Sequence, residues 1–170
     1  MQVSEIHRLA ALDNAAICAA MWQAHGLGVE RVDGCVACSG TPPRFYPDVV
    51  TVDPNADPQS QTRWIAERME RASGAFFVKD SYRTLALGGL GFEPLFDASW
   101  IYRIAGLAAQ TRRLDWAPVT GPEELAAWEA AWSGSADEPP LFLPAFLATP
   151  GRVIVAGCIV TAMTTAPSWA

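Results

Sequence analysis

Val29-Glu30-Arg31-Val32-Asp33-Gly34-Cys35-Val36-Ala37-Cys38, followed after a short link by Val49-Val50-Thr51-Val52, is the stretch on which the fold turns. Both runs are rich in valine, and the first alternates along its length, as a strand does. We read Val29 to Cys38 and Val49 to Val52 as two strands. Ser39-Gly40-Thr41-Pro42-Pro43 between them is rich in residues that turn a chain, and it reverses the direction. A helical pattern lies on either side. Upstream, Val3 to His25 repeats Ile6, Leu9, Ala10, Ile17, Ala20 and Met21 at helical spacing. Ser4 suits its cap, Gly26 and Gly28 its stop, and Asp13-Asn14 a break into two pieces with Asn14 as a second cap. Downstream, Asp53-Pro54-Asn55-Ala56-Asp57-Pro58 leads into a helix over Gln59 to Ser73. Trp64, Ile65, Met69 and Ala72 share one face of it, and Gly74 ends it. Helices alternating with strands predict a mixed α/β or α+β class.

Ala75 to Lys79 reads as a short apolar strand, and Thr84 to Leu87 leads into the bend Gly88-Gly89-Leu90-Gly91. Phe92 to Arg103 is expected to end as a strand, and Ala105 to Thr111 is a linker. Beyond it come a strand over Leu114 to Pro118 and a helix over Pro122 to Trp132. Proline in the first turn and acids beside the positive end of the helix dipole suit the start Gly121-Pro122-Glu123-Glu124. A polar loop over Ser133 to Pro140, a short helix over Leu141 to Leu147 and a buried strand over Val153 to Val160 complete the pattern. The linker predicts an α/β domain over 1–104 and a partial second α/β portion over 112–170 packed on it.

The chain has 170 residues, 51% of them hydrophobic and 18% charged. Those proportions exclude a disordered tail or a highly charged coiled coil. Its net charge of −6 opposes general binding to nucleic acid or to an anionic membrane. The N-terminus lacks a basic stretch followed by an apolar one, and no run approaches the roughly 20 apolar residues of a membrane span. A cytoplasmic protein is expected. Lys79 is the only lysine; every other basic residue is arginine.

Four groups of residues could carry chemistry. Cys35-Val-Ala-Cys38 has the spacing of zinc ribbons and redox motifs, and Cys18 and Cys158 stand apart. A structural zinc needs four ligands, and His7 and His25 do not complete a set. A redox pair belongs at a helix N-terminus, whereas this one alternates like a strand. Small buried residues are the plainer reading, and no metal is expected. Gly88, Gly89 and Gly91 could let backbone N–H groups approach the phosphates of a cofactor, although neither G-x-x-x-x-G-K-[ST] nor G-x-G-x-x-G is present. Asp80-Ser81-Tyr82-Arg83 follows a strand, where α/β sheets often bind ligands. There Tyr82 could serve as a general acid and Asp80 as an anchor for an amine; a solvated loop is the competing reading. Arg112-Arg113 fits a surface linker better than a phosphate contact. Trp128 and Trp132 share a helix face suited to core packing.

Three segments together resemble a bacterial family of the GNAT N-acetyltransferase superfamily: Pro43 to Thr51, Val78 to Tyr82, and Leu90 to Ile101, the last reading Leu-Gly-Phe-Glu-Pro-Leu-Phe-Asp-Ala-Ser-Trp-Ile. Pro122 to Trp132 is similar too, and Leu90-Gly91-Phe92-Glu93-Pro94 looks like the segment that closes many such domains. The resemblance implies a mixed, largely antiparallel sheet flanked by helices and splayed to receive acetyl-CoA. It also implies direct acetyl transfer to an amine. The superfamily's pyrophosphate loop reads [RQ]-x-x-G-x-[GA], whereas Arg83 stands five residues before Gly88. Relatives would continue past Val160, so the chain is expected to be truncated. Either one base was lost just before the Thr161 codon or the tail from Thr161 to Ala170 is divergent. A truncated sheet would expose an edge strand, from which a homodimer is expected. Two functions follow: an N-acyltransferase using acetyl-CoA on an unknown small-molecule amine, or a non-catalytic interaction module on the same fold.

Overall fold

The computed structural model describes residues 3–101, 117–133, 139–148, 152–155 and 158–161. The chain forms two compact units, Met1–Ile101 and Tyr102–Ala170, each with a sheet of its own. Helices with a mixed four-stranded sheet place it in the α+β class.

The first unit runs α1 (Val3–Ala24), β1 (Val29–Val32), β2 (Cys35–Cys38), β3 (Val49–Thr51), α2 (Pro58–Met69) and β4 (Val78–Lys79), with strand order β1-β2-β3-β4. β1 to β3 pair antiparallel, and β4 runs parallel to β3. The stretch 29–38 is thus a hairpin and not the single strand its alternation predicts. Asp33 at φ 49° and Gly34 at φ 73° form the two-residue turn. A tight hairpin wants positive φ at both central positions, and Asp-Gly supplies them. The Gly34 position is also crowded: a Cβ there would stand 2.8 Å from the Cβ atoms of Asp53 and Ala56. Gln61 of α2 donates to the Asp33 carbonyl at 2.9 Å, and the Gly34 carbonyl accepts from Val52 N–H at 2.7 Å, so the turn is clamped from outside.

The two sides of the sheet follow from residue parity, since successive side chains in a strand point oppositely. Val36, Cys38 and Val50 pack with Ala15, Cys18, Ala19 and Trp22 of α1. Cys35, Ala37 and Val49 pack with Ile65 of α2, and Trp64, Phe76, Val78, Leu85, Leu87 and Phe92 surround them. The sheet is therefore covered by one helix on each side.

α1 is unbroken at Asp13-Asn14. The stripe it lays on the sheet is not the one expected from its large residues. Ala20 and Met21 are buried, but Ile6, Leu9, Ala10 and Ile17 are only partly so, and the sheet contact falls to Ala15, Cys18, Ala19 and Trp22. Small side chains let the helix axis come close to the strands, leaving Trp22 to fill the gap at its end. Gly26 then stops the helix at φ 75°. Gly26 N–H bonds the Gln23 carbonyl and Leu27 N–H the Trp22 carbonyl, while Leu27 packs on the Trp22 cluster. α2 is opened by Asp57, whose carboxylate accepts from Gln59 and Ser60 N–H at 3.2 and 3.0 Å, with Pro58 in the first turn. α2 ends at Met69, and Ala72 lies beyond it, exposed, so it does not share the buried face.

Residues 92–101, expected to end as a strand, form none; Tyr102 and Arg103 lie outside the described residues. Leu95, Phe96 and Ile101 are 75%, 76% and 95% exposed. An isolated extended run has no partner for its backbone, so its strand-like composition alone does not make it one.

In the second unit, β5 (Pro118–Val119), β6 (Arg152–Val155) and β7 (Cys158–Thr161) form an antiparallel sheet in that order, with α3 (Pro122–Ser133) and α4 (Pro144–Leu147). The single strand expected over Val153 to Val160 is two strands of a hairpin. The linker 105–111, Arg112-Arg113 and residues 162–170 lie outside the described residues. Glu124 accepts from Thr120 N–H at 2.8 Å and from Gly121 N–H at 3.3 Å, which secures the start of α3. Glu129, buried, accepts from Leu141 and Phe142 N–H at 2.6 and 3.0 Å. Trp128 stacks edge-on against Phe142 at 5.1 Å between ring centroids, in keeping with a packing role.

Candidate functional site

β3 and β4 are the one parallel strand pair among the described residues, and their ladder lasts two residue pairs, Val49 with Val78 and Val50 with Lys79. Before it, Asp48 locks the strands together: its N–H bonds the Phe77 carbonyl at 2.8 Å, and its carboxylate accepts from Phe77 N–H at 2.8 Å. Beyond Lys79, side chains replace the ladder. Ser81 N–H donates to Thr51 Oγ1 at 2.8 Å, and the Tyr82 hydroxyl donates to the Val52 carbonyl at 3.1 Å. The C-terminal ends of these strands therefore open into a polar cluster, the place where open α/β sheets bind ligands.

Asp80 and Tyr82, the sequence candidates, meet there. Asp80 accepts from Thr51 Oγ1 at 3.4 Å and from Tyr82 N–H at 3.3 Å through Oδ1, and from Leu85 N–H at 2.8 Å through Oδ2. A carboxylate offers about four acceptor positions, so three are spoken for. Burial pushes the Tyr82 phenol up, and the Asp53 carboxylate adds to that, against the opposing pull of Arg8. Tyr82 is a proton donor across the neutral range. The Ser81 hydroxyl is buried and has no hydrogen-bond partner among the described residues.

Three further residues join the cluster without any spacing in the sequence that points to it. His7, from the first turns of α1, donates from Nε2 to the Ser81 carbonyl at 2.8 Å. Its ring lies 4.8 Å from that of Tyr82 and 6.1 Å from that of Trp100. Trp100 in turn lies beneath the Lys79 ammonium, 5.2 Å from ring centroid to Nζ. His7 and Ser81 are 74 residues apart, and nothing local links them.

The glycines stand elsewhere. Leu87–Leu90 is a 3₁₀ turn closed by Gly91 at φ 84°, whose N–H bonds the Gly88 carbonyl at 3.0 Å. Its flanking Leu87 and Phe92 pack on the α2 side of the sheet, whereas His7 and Lys79 belong to the α1 side. Gly88, Gly89 and Gly91 are exposed, and a Cβ on any of them would meet nothing within 4 Å. An open groove of about 310 Å³ lies beside this turn, lined by Pro58, Gln59, Thr62 and Arg63 of α2 and by Thr84, Ala86 and Leu90. Asp57, just before the first of these residues, already uses the first N–H groups of α2.

Cys35 and Cys38 face opposite sides of the sheet, in the α2 and α1 clusters respectively. An i, i+3 pair on one strand must diverge in this way, so the two sulfurs neither bridge nor share a metal. Both are free and buried, and burial pushes Cys35 up to about 12 and Cys18 to about 11. Among the described residues no group of three metal-ligating side chains exists, and no helix is long and apolar enough to cross a membrane. Arg83 is exposed and pairs with Asp97 at 3.1 Å. No protein-family model, curated protein or solved structure matches the chain.

Proposed function

We propose that this chain is a GNAT-like N-acyltransferase acting in the cytoplasm, with acetyl-CoA as donor and a small amine as acceptor. The observation that carries the reading is the gathering of Asp80, Ser81 and Tyr82 with His7 at the C-terminal ends of the one described parallel strand pair. Acyl transfer needs an anchor for the amine and a proton for the departing thiolate. The remaining acceptor position of Asp80 suits the first, and the protonated Tyr82 hydroxyl suits the second. The donor would lie in the groove beside α2 and the glycine turn, its thioester reaching the cluster around the C-terminal ends of β3 and β4.

Two observations favour the non-catalytic interaction module. Asp80 and Tyr82 both hold the strand ends together, and the Asp57 carboxylate already occupies the first N–H groups of α2, which a phosphate there would need. Exposed Leu95, Phe96 and Ile101 would then supply the docking side chains.

Thermal unfolding with and without acetyl-CoA separates the two. A ligand that binds only the native state stabilises it by about 2.7 kcal/mol at a hundred times its Kd. A saturable rise in Tm, with acetyl transfer to an amine that falls in Tyr82→Phe, is the expected result. No rise at millimolar acetyl-CoA overturns the acyltransferase reading in favour of the module.

A further inference from the structure

Lys79 is the only lysine in the chain, and its setting is unusual for one. It ends β4 and pairs with Val50, which is fully buried and faces α1. Directly paired residues share a side of the sheet, so the Lys79 stem enters the α1 side, towards Cys18. No carboxylate pairs with the ammonium among the described residues. Its one close partner there is the face of Trp100, at 5.2 Å, and that ring belongs to the cluster with His7 and Tyr82. A half-buried lysine on the edge strand, held by an aromatic face without a counter-ion among the described residues, differs from a solvated surface charge.

We propose that Lys79 is an acylation site of this chain, its Nζ accepting the acyl group of an activated donor such as acetyl-CoA. In the step, the unprotonated nitrogen attacks the thioester carbonyl carbon, a C–N bond forms, and the C–S bond breaks. The thiolate leaves and takes up the proton the nitrogen sheds. The amide is neutral, so the attraction to Trp100 is lost with the charge. Burial lowers the pKa of the amine from its ordinary value, which enlarges the reactive fraction near neutral pH. Around the amine stand the Cys18 thiol of α1, itself held neutral by burial, and the ring of Trp100; His7 lies against Trp100 and Tyr82 against His7, with the Asp53 carboxylate and the Arg8 guanidinium acting on Tyr82 in opposite senses. The choice of acetyl-CoA as donor rests on the acyltransferase reading; the nucleophile does not.

The test is peptide mass spectrometry on the full chain after timed exposure to acetyl-CoA, and separately to acetyl phosphate, over a pH series. The same chain unfolded in urea is the reference, because its Lys79 has an ordinary pKa. The folded chain is expected to gain one acetyl group at Lys79 faster than the unfolded chain at pH 8, with the half-maximal pH displaced downward. Lys79→Arg, folded by circular dichroism, should lose the label. Faster labelling of the folded chain by both donors, or by acetyl-CoA alone, supports Lys79 and the donor together. Faster labelling by acetyl phosphate alone supports Lys79 while removing acetyl-CoA. Labelling by neither donor faster than in urea overturns the proposal, whatever acetyl-CoA does to Tm.

Discussion

Residues 35–38 with 49–50, and residues 95–101, are all rich in apolar side chains, yet they end in opposite environments. In the first region the backbone satisfies itself in a ladder, and every second side chain meets a helix on one side or the other, so that Cys35, Val36, Ala37, Cys38, Val49 and Val50 are all buried. On the way to the second the chain leaves the sheet through a side-chain knot at Thr51, Asp80 and Tyr82, and carries Leu95, Phe96 and Ile101 into solvent. The difference teaches that apolar content does not by itself bury a segment. Pairing of the backbone is what permits burial, because only a paired strand can lie under a helix without stranding its polar groups.

The contrast is broken most forcefully by truncating one large side chain packed against the first region and one carried by the second. Trp22, fully buried, fills the space under α1. Trp22→Ala is expected to cost about 3–5 kcal/mol in urea unfolding. Phe96 stands in solvent. Phe96→Ala should change stability by no more than about 0.5 kcal/mol, as surface substitutions do. Equal losses would mean that residues 92–101 are as firmly packed as the sheet.

Two glycines sharpen it next. Gly34 combines a positive φ with three crowding groups, whereas Gly26 has the positive φ in open space. Gly34→Ala should cost roughly 3 kcal/mol, from backbone strain and overpacking together. For Gly26→Ala about 1–2 kcal/mol is expected, from the left-handed backbone alone. If the two match, the clamp of Asp53, Ala56 and Gln61 on the hairpin contributes nothing.

Alkaline titration probes the buried thiols of the first region and of the helix that covers it. Cys18 and Cys35 ionise near pH 9 when unfolded but near 11 and 12 when folded. Above pH 9 the unfolded chain therefore binds fewer protons than the native one. Stability present below pH 9 is lost as pH rises towards 11–12. The slope is about 1.4 kcal/mol per pH unit for each thiol. Denaturant midpoints measured from pH 8 to 11 should fall, and fall less in Cys18→Ala. A flat profile would mean the thiols reach water in the native state.

The smallest effect concerns the entrance to α2. Asp57 is exposed, and hydrogen bonds from Ser60 and Gln59 hold its carboxylate below its usual range. Its contribution is present above the ordinary aspartate pKa and is lost as pH falls through the lowered one. Asp57→Ser keeps a capping oxygen and removes the charge, so Tm should change little at pH 7, while any affinity for acetyl-CoA should rise. An unchanged affinity would place the donor away from the groove beside α2.

Some of this is readable residue by residue. The stop at Gly26, the reversal at Ser39 to Pro43, the helix after Pro58 and the acidic start of α3 all depend on groups within a few positions, which the sequence displays. Asp33-Gly34 is equally local: it is a hairpin signal that the run of alternating residues conceals. Asp80 and Tyr82 follow from their place after a strand. His7 and Trp100 do not, because their partners are remote along the chain and no spacing points from one to the other.

Composition and neighbours within a turn or two settled the α+β alternation, the stop of α1 at Gly26, the acidic balance and the single lysine, but not the caps at the helix starts: Ser4 lies inside α1, Asn14 caps nothing, and Asp57 caps α2. The tertiary structure alone decided which stripe of α1 meets the sheet, that Cys35 and Cys38 face apart, and that Lys79 lies over Trp100 beside His7 and Tyr82. Those outcomes follow from strand register and helix placement, where one residue of slip exchanges every face. Register is chosen by the packing of the whole unit, so no segment read alone contains it.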